Sequence, residues 1–402
     1  MTMIVQEDVP FSVDELTADW LSRALKVAGV LEDGTVEAIE LQRIGAQVGF
    51  NGEVVIVLPS YANLSEVESP PASLVLKIPT ATKNRILGQT MGLYEKEIRF
   101  YRDLQPVLNI RTPKHYCSAL DEADDPDVIL ERLYGMNRLP LWIIRGIMAL
   151  ASWFVSGHPR KYALFIEDLS GYRLGDQAEG CSPEDIRNIV STMGRLHGQY
   201  WGSEELAGMS WIAPYSVTSR IMQMRYLSSV QRYLKHEGVS LSDKQRDMLA
   251  WLKSEGINLT ERFDEGPATL LHGDVRLDNM GFDDDTNEVV LFDWQTLLRG
   301  PGAADLSYFI SATLPVEASE AEVNELIDLY HQSLVEQGVA LDRPELRKQY
   351  EVGMLLMFHR ILPAIYEGDM ELGDDRGLPL LQAWIARILA RLESVDHRAI
   401  AT

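Results

Sequence analysis

Cysteine is nearly absent: Cys117 and Cys181 are the only two in 402 residues. Their number and spacing fit neither a disulfide framework nor a cysteine-built zinc site. Positive charge is also scarce, with 37 Lys and Arg against 60 Asp and Glu and a formal net charge of −23. Such a balance repels polyanions and argues against nucleic acid or an anionic membrane surface as a partner. The opening stretch, "MTMIVQEDVPFSVDEL", lacks the basic start and apolar core of a secretory signal. A reducing cytoplasm is the expected compartment. Internal repeats and low-complexity tracts are missing as well, so the chain reads as a globular protein.

Long apolar runs are scarce too, with one exception. Residues 139–155, "LPLWIIRGIMALASWFV", are apolar on all sides but for Arg145. A membrane-spanning helix needs about 20 such residues, so this run is short and carries a charge near its middle. Helices apolar all round are usually buried, and burial is the first expectation. A hydrophobic cap near a substrate and an interfacial membrane anchor are the other two.

What is present fits two lobes, since 402 residues are too many for one compact core. "SVDELTADWLSRALK" spaces Leu16, Trp20, Leu21 and Leu25 as an amphipathic helix. "VEAIELQRIGAQVGFNGEVVIVL" and "SLVLKI" read as strands of an antiparallel sheet. Gly45, Gly49 and Gly52 fall where one strand turns into the next, where a backbone without Cβ atoms can bring N–H groups close to a phosphate. Period-two alternation puts Lys77 on a face with Val75, and Leu76 with Ile78. An edge strand would expose such a lysine to solvent.

"GLYEKEIRFYRDL" follows as a helix, with Leu93, Glu97, Phe100 and Leu104 on one stripe and Glu95 well round from it. A carboxylate within an apolar stripe needs a partner, because an unpaired buried charge is costly. Lys77 is the nearest upstream candidate. A strand lysine held by a helix glutamate is the device by which kinases aim an ammonium at nucleotide phosphates.

"YALFIEDLSGYRLGDQ" passes from an apolar strand into a polar turn, as a connector between lobes would. "SPEDIRNIVSTMGRLHGQYW" then opens a helix with Ser182 at the N-cap, Pro183 first and Asp185 three after the cap. His197 on its inner face reads as a hydrogen-bonded core histidine. In "LLHGDVRLDNMGF", four polar side chains crowd into one turn between apolar runs. The acidic turn "DDDTN" and "EVVLFDWQ" read as a hairpin that returns Asp293 to the end where Asn279 lies. Asn279 and Asp293 then offer hard oxygens to Mg2+, and Asp274 would face an acceptor hydroxyl.

"HGDVRLDN" followed by "LFDWQ" resembles the aminoglycoside phosphotransferase and choline kinase superfamily, and within it the ecdysteroid-kinase-like branch with its bacterial relatives. "LYEKEIRFY", "EDL", "RLHGQYWG" and "GPGAADLSYF" extend the likeness over most of the chain. The resemblance implies an α+β, two-lobed protein-kinase-like fold: an antiparallel-sheet nucleotide-binding lobe over residues 1–165, a hinge at 166–170 and a largely helical catalytic and substrate-binding lobe over 171–402. It implies transfer of the γ-phosphate of ATP to a hydroxyl of a small molecule with Mg2+. Asp274 would be the catalytic base, and Asn279 and Asp293 the metal ligands. Lys77 would bind phosphate and Glu97 would hold it. Gly45 and Gly49 would lie over the triphosphate, Glu167 to Leu169 near adenine, and Asp305 would anchor the catalytic loop.

Two features depart from the pattern. Residues 125–161 intervene, apolar segment included, where the family passes quickly to the hinge. Gln47, Val48 and Phe50 also loosen the nucleotide loop. A catalytically silent nucleotide-binding or scaffold protein is the alternative, against which Lys77, Asp274, Asn279 and Asp293 all stand. A metal-dependent hydrolase using His272, Asp274 and Asp293 lacks the further ligands of a two-metal site. For the acceptor, residues 354–358 supply apolar area suited to a sterol-like or acyl alcohol, whereas the acidic charge favours a cation.

Overall fold

The computed structural model describes residues 8–43, 52–66, 68–79, 84–121, 125–236, 239–366 and 377–400. The chain divides into two compact units. The first comprises Met1–Leu108, Thr112–Asp124 and Met148–Tyr172, and the second comprises Asn109–Arg111, Asp125–Ile147 and Arg173–Thr402.

In the first unit, helix α1 (Ala18–Val27) starts at Thr17, whose side chain accepts the Trp20 N–H at 3.1 Å. Strands β1 (Thr35–Arg43), β2 (Gly52–Ala62), β3 (Leu74–Pro79), β4 (His115–Leu120) and β5 (Tyr162–Glu167) make an antiparallel sheet in the order β1-β2-β3-β5-β4. Leu74, Leu76 and Ile78 of β3 bury one face with Val55, Val57, Phe165 and the α1 residues Trp20, Leu21 and Leu25. Alternation turns Val75 and Lys77 to the other face. Helices α2 (Asn84–Thr90) and α3 (Leu93–Arg99) follow β3, and α3 runs on as a π-helical turn, Phe100–Leu104.

Helices α4 (Pro126–Met136) and α5 (Leu141–Gly157) occupy most of the 125–161 stretch. No α4 residue is buried, and Ile144 is the one buried residue of α5. The expectation of a buried apolar helix is thereby corrected: one side of α5 is covered, and Trp142, Leu150, Trp153 and Phe154 on the other are exposed. Among the described residues no helix is long and apolar enough to cross a membrane.

The second unit is largely helical. After the short strand β6 (Arg173–Leu174), helix α6 (Pro183–Gln199) begins with the capping box anticipated at Ser182 and Asp185. Helices α7 (Glu204–Gly208), α8 (Ser219–Tyr233) and α9 (Asp243–Phe263) lead to strand β7 (Thr269–Leu271). Strands β8 (Met280–Asp283) and β9 (Glu288–Leu291) form the hairpin, flanked by β6, and β10 (Leu298–Gly300) pairs with β7. Helices α10 (Ala303–Thr313), α11 (Glu320–Glu336), α12 (Arg343–Tyr366) and α13 (Gly377–Leu392) complete it. Residues 354–358 are all buried where α12 packs on α8, α10 and α13. Their apolar area is thus used for helix packing.

Candidate active site

Lys77 does not lie on an edge. Strand β3 is the middle strand of the sheet, with Lys77 opposite Val54 on β2 and Leu164 on β5. Its Nζ lies 2.9 Å from Glu97 Oε1 and 2.8 Å from Oε2. The side chains are 12% and 3% exposed, so each charge relieves the burial of the other. Glu95 is buried as well, despite its place away from the apolar stripe. It is paired with Arg99 one turn on, at 2.6 Å. A Cβ on Gly52 would sit 3.2 Å from the Ile78 carbonyl and 3.5 Å from the Lys77 side chain, so glycine lets β2 pass close to the lysine. Gly45 and Gly49 lie outside the described residues.

At the end of β5, Glu167 is tied to the start of β4. Its N–H donates to the Lys114 carbonyl at 2.9 Å and its Oε2 accepts the Lys114 N–H at 2.9 Å. Leu169 is buried, and its carbonyl accepts the Tyr172 N–H at 2.9 Å. Asp168 between them accepts the N–H and hydroxyl of Ser170, which closes the turn.

In the second unit, β7 delivers the loop that carries Asp274. Asp305, in the first turn of α10, accepts the His272 N–H at 2.7 Å and the Gly273 N–H at 3.1 Å, one on each oxygen. His197 supports Asp305 from α6, with Nε2 3.4 Å from Oδ2 and Nδ1 2.7 Å from the Tyr330 hydroxyl. His197 is thus a bonded core residue. Gly273 has φ +80°, and a Cβ there would lie 2.5 Å from the Thr296 carbonyl oxygen. Neither the conformation nor the space admits a side chain. His272 Nε2 donates to the Phe292 carbonyl at 2.9 Å and Nδ1 accepts the Asp274 N–H at 3.3 Å. With both ring nitrogens engaged, His272 joins the loop to the end of β9 and has none left for a metal.

Three side chains hold the Asp274 carboxylate. The Tyr308 hydroxyl donates to Oδ1 at 2.5 Å, Arg276 Nε to the same oxygen at 3.0 Å, and Asn279 Nδ2 to Oδ2 at 2.9 Å. Burial pushes the carboxyl upward, but the Arg276 charge, the Tyr308 hydroxyl, His272 and the Asn279 amide outweigh it. The group is held below the usual aspartate value, and so is ionised at neutral pH. An ionised carboxylate has about four lone-pair positions, which leaves Oδ2 room for one further donor. Burial and the Asp274 charge together push the Tyr308 phenol well up, so it stays a donor.

The hairpin closes the site as its sequence anticipates. Met280 pairs with Leu291, and the Phe292 N–H donates to the Asn279 carbonyl at 3.0 Å, which brings Asp293 to the Asn279 end. Because Asn279 Nδ2 is used by Asp274, its Oδ1 is the side-chain atom left to a ligand. Asp293 adopts φ +65° and ψ 63°, a left-handed conformation that costs a non-glycine residue energy and clusters at functional positions. The donor set is hard oxygen, which fits Mg2+, an ion that takes few protein oxygens and completes its shell with phosphate and water. Among the described residues, no group of three or more His, Cys, Asp or Glu side chains is arranged to hold a metal.

Arg276, Tyr308 and Gln177 belong to this arrangement although the sequence reading assigned them no role. Gln177 Oε1 accepts the Leu277 N–H at 2.9 Å, its Nε2 donates to the Ala312 carbonyl at 2.9 Å, and its own N–H reaches Asp278 at 2.8 Å. Tyr308 was foreseeable in one respect. It lies three residues after Asp305, and hence on the same face of α10.

Residues 61–342 match the model of the ecdysteroid kinase-like family. The chain belongs to that family. Among solved structures, choline kinase from Cryptosporidium parvum Iowa II is similar with a TM-score of 0.52 and 9% identity, over 90% of this chain and 91% of that one. The GDP complex of wild-type aminoglycoside 2'-phosphotransferase-IIIa is similar with a TM-score of 0.51 and 12% identity, over 94% of this chain and 99% of that one. At these identities the likeness is one of fold: the ecdysteroid kinase-like chain shares the α+β kinase-like architecture, an antiparallel sheet followed by a helical part. No curated protein matches the sequence.

Proposed function

We propose that this ecdysteroid kinase-like protein is a phosphotransferase that moves the γ-phosphate of ATP to a hydroxyl group of a small molecule. The observation that carries the reading is the Asp274 carboxylate, held ionised by Arg276, Tyr308 and Asn279 with one acceptor position free on Oδ2. Asp274 would accept the hydrogen of the acceptor hydroxyl there and aim its oxygen. A depressed carboxyl is a weak base, which suits phosphoryl transfer, where positioning and charge stabilisation do most of the catalysis. Asn279 Oδ1 and the Asp293 carboxylate would hold Mg2+, which when bound neutralises phosphate charge. Lys77, kept in place by Glu97, would bind phosphate oxygens, with Gly45 and Gly49 over the triphosphate. Glu167 to Leu169 would lie near adenine, with the side chains of Glu167 and Leu169 already committed to the fold. The apolar alcohol and the cationic acceptor remain two arms of one substrate screen.

The test begins with thermal melting in millimolar Mg-ATP and, separately, Mg-GTP. Ligand at about 100 times its Kd adds about 2.7 kcal/mol to the folded state, enough to raise the midpoint by a few degrees. The shift should need Mg2+ and vanish in Asp293→Asn. Asp274→Asn should keep the shift and lose turnover in a hydroxyl-acceptor screen. Absence of any nucleotide shift in the folded wild type would sink the reading in favour of a silent scaffold.

A further inference from the structure

Residues 138–161 carry Arg138, Arg145, Arg160 and Lys161 and no Asp or Glu, in a chain of net charge −23. Helix α5 runs through this stretch. At about 100° per residue, Trp142, Ile147, Leu150, Trp153 and Phe154 fall on one side of it. All five are exposed, Trp142 at 76% and Trp153 at 72%. The buried Ile144 and the partly covered Ala151 and Val155 lie on the opposite side. Soluble surfaces rarely leave a contiguous apolar stripe of this kind, with two indoles, uncovered. Arg138 and Arg145 are exposed, and neither makes an ion pair among the described residues.

We propose that α5 is a membrane-surface helix that lies in the interface of an anionic phospholipid bilayer, with its exposed apolar side at the acyl boundary. Its 17 residues span about 25 Å, short of the roughly 30 Å hydrocarbon core, and Arg145 would be costly inside. Lying flat satisfies both limits. The indoles stand towards the two ends of the helix, and tryptophan favours the headgroup level, where its ring is dry and its N–H wet. Arg138 and Arg145, exposed and without an ion pair among the described residues, complement anionic headgroups. The net charge of −23 opposes this little, because screening confines electrostatics to about 10 Å at 0.1 M salt and headgroups meet the local residues. A second copy is a poorer occupant, since two such faces would set cation against cation. This inference is independent of the phosphotransferase reading.

Cosedimentation of the full chain with sucrose-loaded vesicles tests it, using phosphatidylcholine alone and phosphatidylcholine mixed with phosphatidylglycerol, at low and high salt. Binding to the mixed vesicles is expected, falling severalfold as salt rises. Trp142→Ser with Trp153→Ser should lower the partition by about tenfold or more, and Arg138→Glu with Arg145→Glu should remove the preference for phosphatidylglycerol. All four side chains are exposed, so both variants should melt with the wild type. If the tryptophan pair melts lower, the arginine pair carries the test. Folded wild type that pellets with neither vesicle overturns the proposal. So does self-association in sedimentation velocity that the tryptophan variant loses while vesicles stay unbound, which would make the stripe a contact between copies.

Discussion

Tyr308 donates its hydroxyl to Asp274 Oδ1 at 2.5 Å, and it does so from the helix that carries Asp305 one turn earlier. A single turn of α10 therefore holds the loop backbone through Asp305 and aims the loop's carboxylate through Tyr308. Arg276 of the loop contributes most to keeping Asp274 ionised, and α10 adds to it while fixing the loop's position.

Tyr308→Phe isolates the second of these tasks. The ring can keep its packing on Trp384, whose centroid is 4.6 Å away, so the fold should be little affected. A hydrogen bond to a charged group contributes about 1.5–3 kcal/mol, so turnover should fall roughly 10- to 100-fold if that interaction matters most in the transition state. Nucleotide affinity should hold. An unchanged kcat in a folded Phe variant would remove Tyr308 from the positioning of Asp274.

The first task separates from it in stability. Asp305→Ala strands the buried N–H groups of His272 and Gly273, at about 1–3 kcal/mol each, and leaves His197 without its carboxylate. Both melting point and turnover should drop. Gly273→Ala forces a Cβ to 2.5 Å from the Thr296 carbonyl at φ +80°, a strain of about 1–3 kcal/mol. Its main expected effect is a displaced Asp274, with loss of turnover exceeding loss of stability. A Gly273→Ala protein of wild-type activity would show that the loop tolerates rearrangement.

How far the sequence could be read depended on how local each signal was. Lys77 and Glu97 were legible because each stood out against its own periodic run, one in a strand and one on a helix face. The hairpin was legible because its turn residues and strand lengths fix the register that returns Asp293 to Asn279. Tyr308 was not legible because its importance depends on a tertiary meeting across 34 residues of chain, and Arg276, only two residues from Asp274, because no periodic pattern says which way a loop arginine turns. The burial of Glu95 was not legible because its Arg99 partner, not the apolar stripe, lets it go inside. For α5, composition pointed to burial, whereas exposure depends on whether other elements arrive to cover the helix.

The charge on Asp274 sets a pH dependence. Its folded-state value is depressed, so its contribution to stability is complete above the unfolded carboxylate value of about 3.9 and is lost as pH falls through the lower folded value. The stability difference between wild type and Asp274→Asn should therefore stay flat from about pH 8 to pH 5 and change only below about pH 4. Urea titrations at a series of pH values would measure it and keep the chain dissolved near its pI of about 4.7. A difference that already changes near pH 6 would mean a carboxyl raised by burial rather than lowered by its partners.

The Lys77–Glu97 pair offers a prediction free of any assay for turnover. With side chains 12% and 3% exposed, neither charge has enough water to stand alone. Breaking a buried pair from one side costs about 3–5 kcal/mol, whereas apolar replacement of both partners can be nearly neutral. Lys77→Met and Glu97→Leu should each lower stability by that order, and the double variant should lose less than the two single losses together, with a coupling of about 0.5–3 kcal/mol or more. Denaturant unfolding of the four proteins closes the cycle. Additive losses would mean that Lys77 and Glu97 are held independently and meet only because the sheet and α3 bring them together. In that case the double variant should bind Mg-ATP no worse than Lys77→Met alone. If the pair is coupled, Glu97→Leu by itself should weaken nucleotide binding, because a lysine released from its carboxylate loses its fixed aim before any phosphate arrives.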